Sequence, residues 1–271
     1  MRIWRRYTAD KPDAEAIRLR SDHCGRRLRF RSSACPEYPI QVCVNELHFK
    51  ARRENIILCG LWYGDRKPNL NTFLTPFIEE LNSLHNTGFR LNEHDQYITK
   101  VHTLLCTVDS VARAPLQNVK TFRGEHGCSF CLNPGIEAAV GRGSTRLYQN
   151  DTLYPLRTQA QHIRDTQKII AQPRLEADNG VKGMANLLNL ALFDISQSFV
   201  PDYLHCVLLG CTKTMIRHWT DGKNKDQPFF IGNDGKINEI DSHLLRIKPP
   251  KEITRTPRTL HKWKYWRGHE F

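Results

Sequence analysis

Two cysteines three residues apart, Cys128 and Cys131 in HGCSFCLNPG, are the side chains of this sequence best spaced for metal chemistry. A Cys-x-x-Cys turn presents two thiolates to one cation, and zinc is the usual one. The pair alone is a modest signal, because structural zinc sites use four ligands and no second Cys-x-x-Cys follows. The competing reading is two free turn cysteines. A thioredoxin-type redox role is disfavoured, since the pair does not open a helix after a strand. Asp109 comes next: it closes an apolar run in LLCTVDSVARA, where a carboxylate is either a reactive group at a strand end or the N-cap of the next helix. Lys262, Lys264 and Arg267 are interleaved with Trp263, Tyr265 and Trp266. The cations suit a phosphate backbone, and the aromatics suit either base contacts or, better, the packed face of a helix. RLRSDHCGRRLRFR holds six arginines among fourteen residues, which could pair with phosphates or form a polar tail; the tail is preferred before residue 26.

The chain around these residues has 271 residues and 31.5 kDa, enough for one large domain or two small ones. With 39% hydrophobic and 25% charged residues it is neither wholly disordered nor collagen-like. It has no apolar run long enough for a membrane helix, and its first residues lack the apolar core of a secretory signal. An intracellular, non-secreted protein is expected. The formal charge of +12 is concentrated at the two ends, residues 1–53 and 244–271, around a nearly neutral middle. Such a distribution fits a polyanion such as DNA or RNA, or simply two solvated basic faces. Nine cysteines without a signal peptide argue against a disulfide framework. Most, including Cys43 and Cys106, read as small core hydrophobes among apolar neighbours.

The elements that would position the chemistry follow from hydrophobic periodicity. RRLRFRSS (26–33), YPIQVCVNEL (38–47) and ENIILCGLWYG (54–64) read as strands, the last two an antiparallel pair linked by KARR. Phe73, Leu74, Phe77, Ile78, Leu81 and Leu84 repeat at helical spacing, and Gly88 supplies a stop. Residues 100–110 read as a buried strand ending near Asp109, followed by a short helix through VARAPLQNVK. Residues 120–180 are punctuated by Gly, Pro and Cys, with one helix at 158–171; so long an irregular stretch needs an organiser, and a metal is a natural one. Residues 183–219 read as two packed helices broken near Pro201, and 221–257 as a loop or hairpin with a turn at GNDG. The fold class expected is α/β. The domain plan is a basic tail at 1–25, a first core part at 26–120, a Cys/His-containing insertion at 121–257, and a final helix opening at 258–271.

Three stretches carry a resemblance. They are FRSSACPEYPIQVCVNELHFKARRENIILCGLWYGDRKPNLNTFLTPFIEEL, LLCTVDSVARAPLQNVKTFRGEHGCSFCLNPG with the following YPLRT, and GVKGMANLLNLALFDISQSFVPDYLHCVLLGCTKTMIRHW, with KYWRGHEF as a fourth. Together they resemble the transposases of CACTA (En/Spm-type) DNA transposons, from about residue 28 to the C-terminus. The resemblance implies an RNase-H-like mixed sheet with a largely helical, zinc-pinned insertion. It also implies a DDE-type reaction, in which three carboxylates hold two Mg²⁺ or Mn²⁺ ions that activate the nucleophile and stabilise the leaving oxygen of a phosphodiester.

Carried over residue by residue, Asp109 matches the second carboxylate and Glu270 the third, although a carboxylate beside the final Phe271 is expected to lack a rigid mount. The first departs from the pattern. The family carries Thr-Asp-Gly ahead of a Phe-Lys-Ser-Ser segment; here Phe30, Arg31, Ser32 and Ser33 match the latter, but the acid position falls near Gly25. Asp22 is the nearest carboxylate, about three residues away, which along a strand is about 10 Å and the opposite face. For zinc, the resemblance adds His205 to Cys128 and Cys131 and leaves the fourth ligand open among Cys206, Cys211 and His162. His205 reads equally as a satisfied histidine on an apolar helix. The implied partner is DNA (transposon ends), with no membrane; homo-oligomerisation is left open, and a nuclear location follows only from the substrate. The expectation is a truncated or degenerate transposase whose ancestral reaction is cut-and-paste cleavage and strand transfer. The alternative is a non-catalytic, transposon-derived DNA-binding or zinc-stabilised protein.

Overall fold

A computed structural model describes residues 37–94, 96–250 and 258–271. It is a mixed helix-and-strand protein. β1 (Glu37–Val42) and β2 (Ile57–Tyr63) form an antiparallel pair with Tyr38 opposite Trp62 and a register shift between Ile40 and Gln41. Their link is a helical turn, α1 (Phe49–Glu54), rather than a plain loop. The two expected strands at 38–47 and 54–64 are therefore present in shortened form. α2 (Leu70–Asn86) begins where the Asn69 side chain accepts the Asn71 and Thr72 backbone N–H groups, and it buries Leu74 and Ile78. It ends just before Gly88, whose φ of +70° suits glycine.

The expected strand at 100–110 contracts to β3 (Cys106–Val108). Ser110–Gln117 then forms α3, and Gln159–Ala171 forms α4 behind a Thr158 N-cap. A hairpin that periodicity does not reveal, β4 (Ile136–Val140) and β5 (Gly143–Leu147), lies within the insertion. β3 pairs with β6 (Phe199–Pro201), so the described residues hold three two-stranded sheets and not one mixed sheet. The expected strand at 26–33 and the basic tail lie outside the described residues.

Three further expectations are corrected. Residues 183–199 are not a helix. They form turns around one 3₁₀ segment, Asn186–Asn189, and bury Ala185, Leu187, Leu190, Phe193, Ile195 and Phe199. Asparagines of α2 hold this segment: Asn82 Nδ2 donates to the Asn189 carbonyl at 2.8 Å, and its Oδ1 accepts the Ala191 N–H at 2.9 Å. Residues 234–244 are helix, α6 (Asp234–Leu244), because Asn233 caps its first turn by accepting the Lys236 N–H at 2.8 Å. Cys43 is exposed and Cys106 only half-buried, so neither fills the core. Before α5 (Lys213–Thr220), Leu204–Thr212 winds as a π-helix. Gly210 permits that wide turn, since a Cβ there would meet the His205 carbonyl at 2.8 Å.

The chain divides into two compact units, the described part of Met1–Cys106 with Arg113–Phe199, and Thr107–Ala112 with Val200–Phe271. In the second, Ile216, Ile237 and Leu260 form a core flanked by Trp219, Trp263, Trp266 and Phe271. Trp263 and Trp266 thus serve packing, while Lys262, Lys264 and Tyr265 stay exposed. No helix among the described residues is long and apolar enough to cross a membrane.

Candidate metal centre

The knuckle at Cys128–Cys131 is built by backbone pairing with a distant strand of chain. Leu132 N–H donates to the Pro155 carbonyl and Arg157 N–H to the Phe130 carbonyl, both at 2.9 Å, which clamps the residues after Cys128 against 155–157. Upstream, the Tyr148 hydroxyl accepts the Gly127 N–H at 3.0 Å and donates to the Gly124 carbonyl at 2.5 Å. Between these supports the two sulfurs converge to 3.4 Å, and the Phe130 N–H points at Cys128 Sγ, also at 3.4 Å. Two sulfurs on one tetrahedral zinc, each at about 2.3 Å, would stand about 3.8 Å apart. The thiols are therefore within a few tenths of an ångström of a chelating separation.

Arg157 is the residue that sequence reading missed. It is only 5% exposed, yet among the described residues its guanidinium bonds carbonyls and no carboxylate: Nε donates to the Cys128 carbonyl at 2.8 Å, and Nη2 to the His126 carbonyl at 2.6 Å and the Asn179 carbonyl at 2.8 Å. Burial lowers its pKa from the ordinary arginine value, opposed by Cys128, Asp165, Cys131 and Tyr148. Burial likewise pushes the Cys131 thiol up; Cys128 adds to this, while the Asn133 N–H and Arg157 work against it. Among the described residues this buried cation is bonded by carbonyls and lies beside the two thiols, where its charge works toward thiolate against the effect of burial. The residues present thus fit zinc as far as two of its ligands.

The other implied ligands lie on the π-helix and on α4. His205 belongs to the second unit, half-exposed in the π-helix, with Nδ1 at 2.6 Å from Asp202 Oδ2. That carboxylate also accepts the Leu204 N–H at 2.9 Å. Burial raises the Asp202 pKa, but the bonds from His205 outweigh it and hold the carboxyl below its ordinary value. Cys206 and Cys211 are exposed in the same π-helix. His162, in α4, is buried, and its Nε2 has no hydrogen-bond partner among the described residues. Burial first and the Arg157 charge second push its pKa down to about 4, against the pull of Asp194. Among the described residues no three His, Cys, Asp or Glu side chains gather into a group that could hold a metal ion.

The carboxylates implied for Mg²⁺ or Mn²⁺ have other occupations. Asp109 directly follows β3, and its Oδ1 accepts the Ala112 N–H at 2.7 Å as the N-cap of α3. Glu270 is held rigidly, contrary to expectation. Arg258 clamps it with two bonds, Nε to Oε1 at 2.6 Å and Nη2 to Oε2 at 2.7 Å, and the Arg267 N–H adds a third at 2.5 Å. Together the three bonds occupy about three of the four lone-pair sites of this carboxylate. Asp22 lies outside the described residues. Asp109 thus serves as a helix cap and Glu270 as an arginine partner. Neither a family model, a curated protein nor a solved structure matches the chain.

Proposed function

We propose that this chain is a transposase-derived DNA-binding protein of the CACTA type, stabilised by zinc and no longer cutting DNA. The observation that carries the reading is the convergence of Cys128 and Cys131 beside the buried Arg157, within the motif HGCSFCLNPG of the resemblance. Zinc would supply a fixed cross-link there, at the turn whose backbone pairs with residues 155–157. Arg157 offsets the thiolate charge and ties three carbonyls of that insertion together. The DNA reading rests on the net charge of +12 and on the exposed Lys262, Lys264 and Arg267, beside an exposed Tyr265. An RNase-H-like ancestry accounts for the β1–β2 hairpin, for an acid directly after β3, and for the helix that follows it. Nuclear location belongs to the same proposal, since DNA is the partner.

Glu270 in its arginine clamp and Asp109 on its helix favour the non-catalytic form over an active DDE enzyme. Fluorescence anisotropy of the full chain with a labelled duplex, read across salt concentrations, tests the binding. Affinity should fall with salt with a log–log slope of about −0.9 per phosphate neutralised. A parallel incubation with supercoiled plasmid and Mg²⁺ or Mn²⁺ tests the absence of cutting, with Asp109→Asn as the control that keeps a helix cap. Salt-insensitive or absent binding would overturn the reading, as would metal-dependent nicking that Asp109→Asn abolishes.

A further inference from the structure

His85 and His102 are not among the residues of the knuckle, and their rings face each other. His85 is in the last turn of α2, and His102 lies in the extended segment that returns after the 89–99 loop. The return path is fixed by backbone. Phe89 and Thr99 exchange two N–H···O bonds of 2.8 Å, and the Val101 N–H donates to the Leu84 carbonyl at 3.3 Å. Gly88 makes the close approach possible, since a Cβ there would meet the Thr99 carbonyl at 2.5 Å. The two Nδ1 atoms end 2.7 Å apart, with ring centroids at 4.7 Å and planes inclined by 69°. His102 is exposed and His85 half-buried, so the pair opens to solvent.

At that separation one Nδ1 donates and the other accepts, so the two nitrogens face one gap that opens to solvent. Two imidazole nitrogens bound cis on a tetragonal ion, each at about 2.0–2.1 Å, stand about 2.9 Å apart; a tetrahedral ion would need about 3.3 Å. The observed 2.7 Å is close to the tetragonal value. Imidazole nitrogens with open neighbouring positions suit Cu²⁺ or Ni²⁺, with water completing the coordination. We propose that His85 and His102 form an open two-imidazole site for a tetragonal divalent transition ion of the Ni²⁺/Cu²⁺ class. Binding moves the shared proton from the Nδ1 to the Nε2 of the donor ring through solvent, so both imidazoles bind neutral, with no net proton release and no redox change.

The test is Ni²⁺ titration of the full chain by calorimetry, repeated on His85→Ala, His102→Ala and the more conservative His102→Asn, each with its circular dichroism compared. Absorption recorded in parallel separates the two classes of site, because thiolate-bound nickel adds a strong near-ultraviolet charge-transfer band and imidazole-bound nickel does not. The expected result is a binding event without that band, weakened by about tenfold or more in each variant, the scale on which altered ligand shells act. Equal uptake by wild type and folded variants would overturn the site, and so would no uptake beyond that accompanied by the thiolate band. Neither outcome bears on the zinc knuckle, which uses different residues.

Discussion

At the scale of single residues, the insertion is organised by buried polar groups whose partners lie far along the chain. Arg157 bonds carbonyls 22, 29 and 31 residues away, so nothing local in YPLRT marks it as buried, whereas Cys128 and Cys131 are legible from spacing alone. His162 gives the same region a pH dependence. In the fold its pKa is pushed down to about 4, while in the unfolded chain it is about 6.5. Between these values the unfolded chain takes up a proton that the fold refuses, so stability falls as pH drops through the window and levels off below it. The loss should reach roughly 2 kcal/mol by pH 5. Urea unfolding at pH 7 and pH 5 measures it, and His162→Gln should remove most of the difference; an equal difference in both proteins would refute the assignment.

At the scale of elements, local signals decide the outcome where they are strong. α6 is a case in which the signal was present but ambiguous. GNDG reads as a tight turn, yet Asn233 within it is an N-cap, accepting the Lys236 N–H and starting a helix that buries Ile237 and Asp241. Replacing Asn233 with Ala should therefore cost about 1 kcal/mol of stability. Thermal unfolding compared with wild type checks this, and an unchanged midpoint would mean the cap contributes nothing. α2 and the β1–β2 pair were legible because their apolar spacing and turn residues agree. Residues 183–199 were not, since their apolar side chains are buried by turns that Asn71 and Asn82 of α2 hold from more than a hundred residues away. The β4–β5 hairpin was missed for the opposite reason: its side chains are mostly exposed, so no alternation of apolar residues marks it. Asp109 was legible as a residue at a strand–helix junction, and the Ala112 N–H contact shows that it caps the helix.

At the scale of the whole molecule, charge and cross-linking matter most. A chain with a net charge of +12 repels itself when compact, and its described sheets are only two-stranded, so the insertion gains from a fixed point that hydrophobic burial alone does not supply. In the proposed reading a zinc ion held by the two converging thiols would be that point, and DNA would be the partner of the basic surface. The claim on which this account most depends is that Cys128 and Cys131 hold zinc in the full chain. Metal analysis of protein purified without added chelator or metal tests it directly. The account predicts about one zinc per chain in the wild type and its loss in Cys128→Ser. A zinc-free wild type, or a variant that retains the metal, would contradict it.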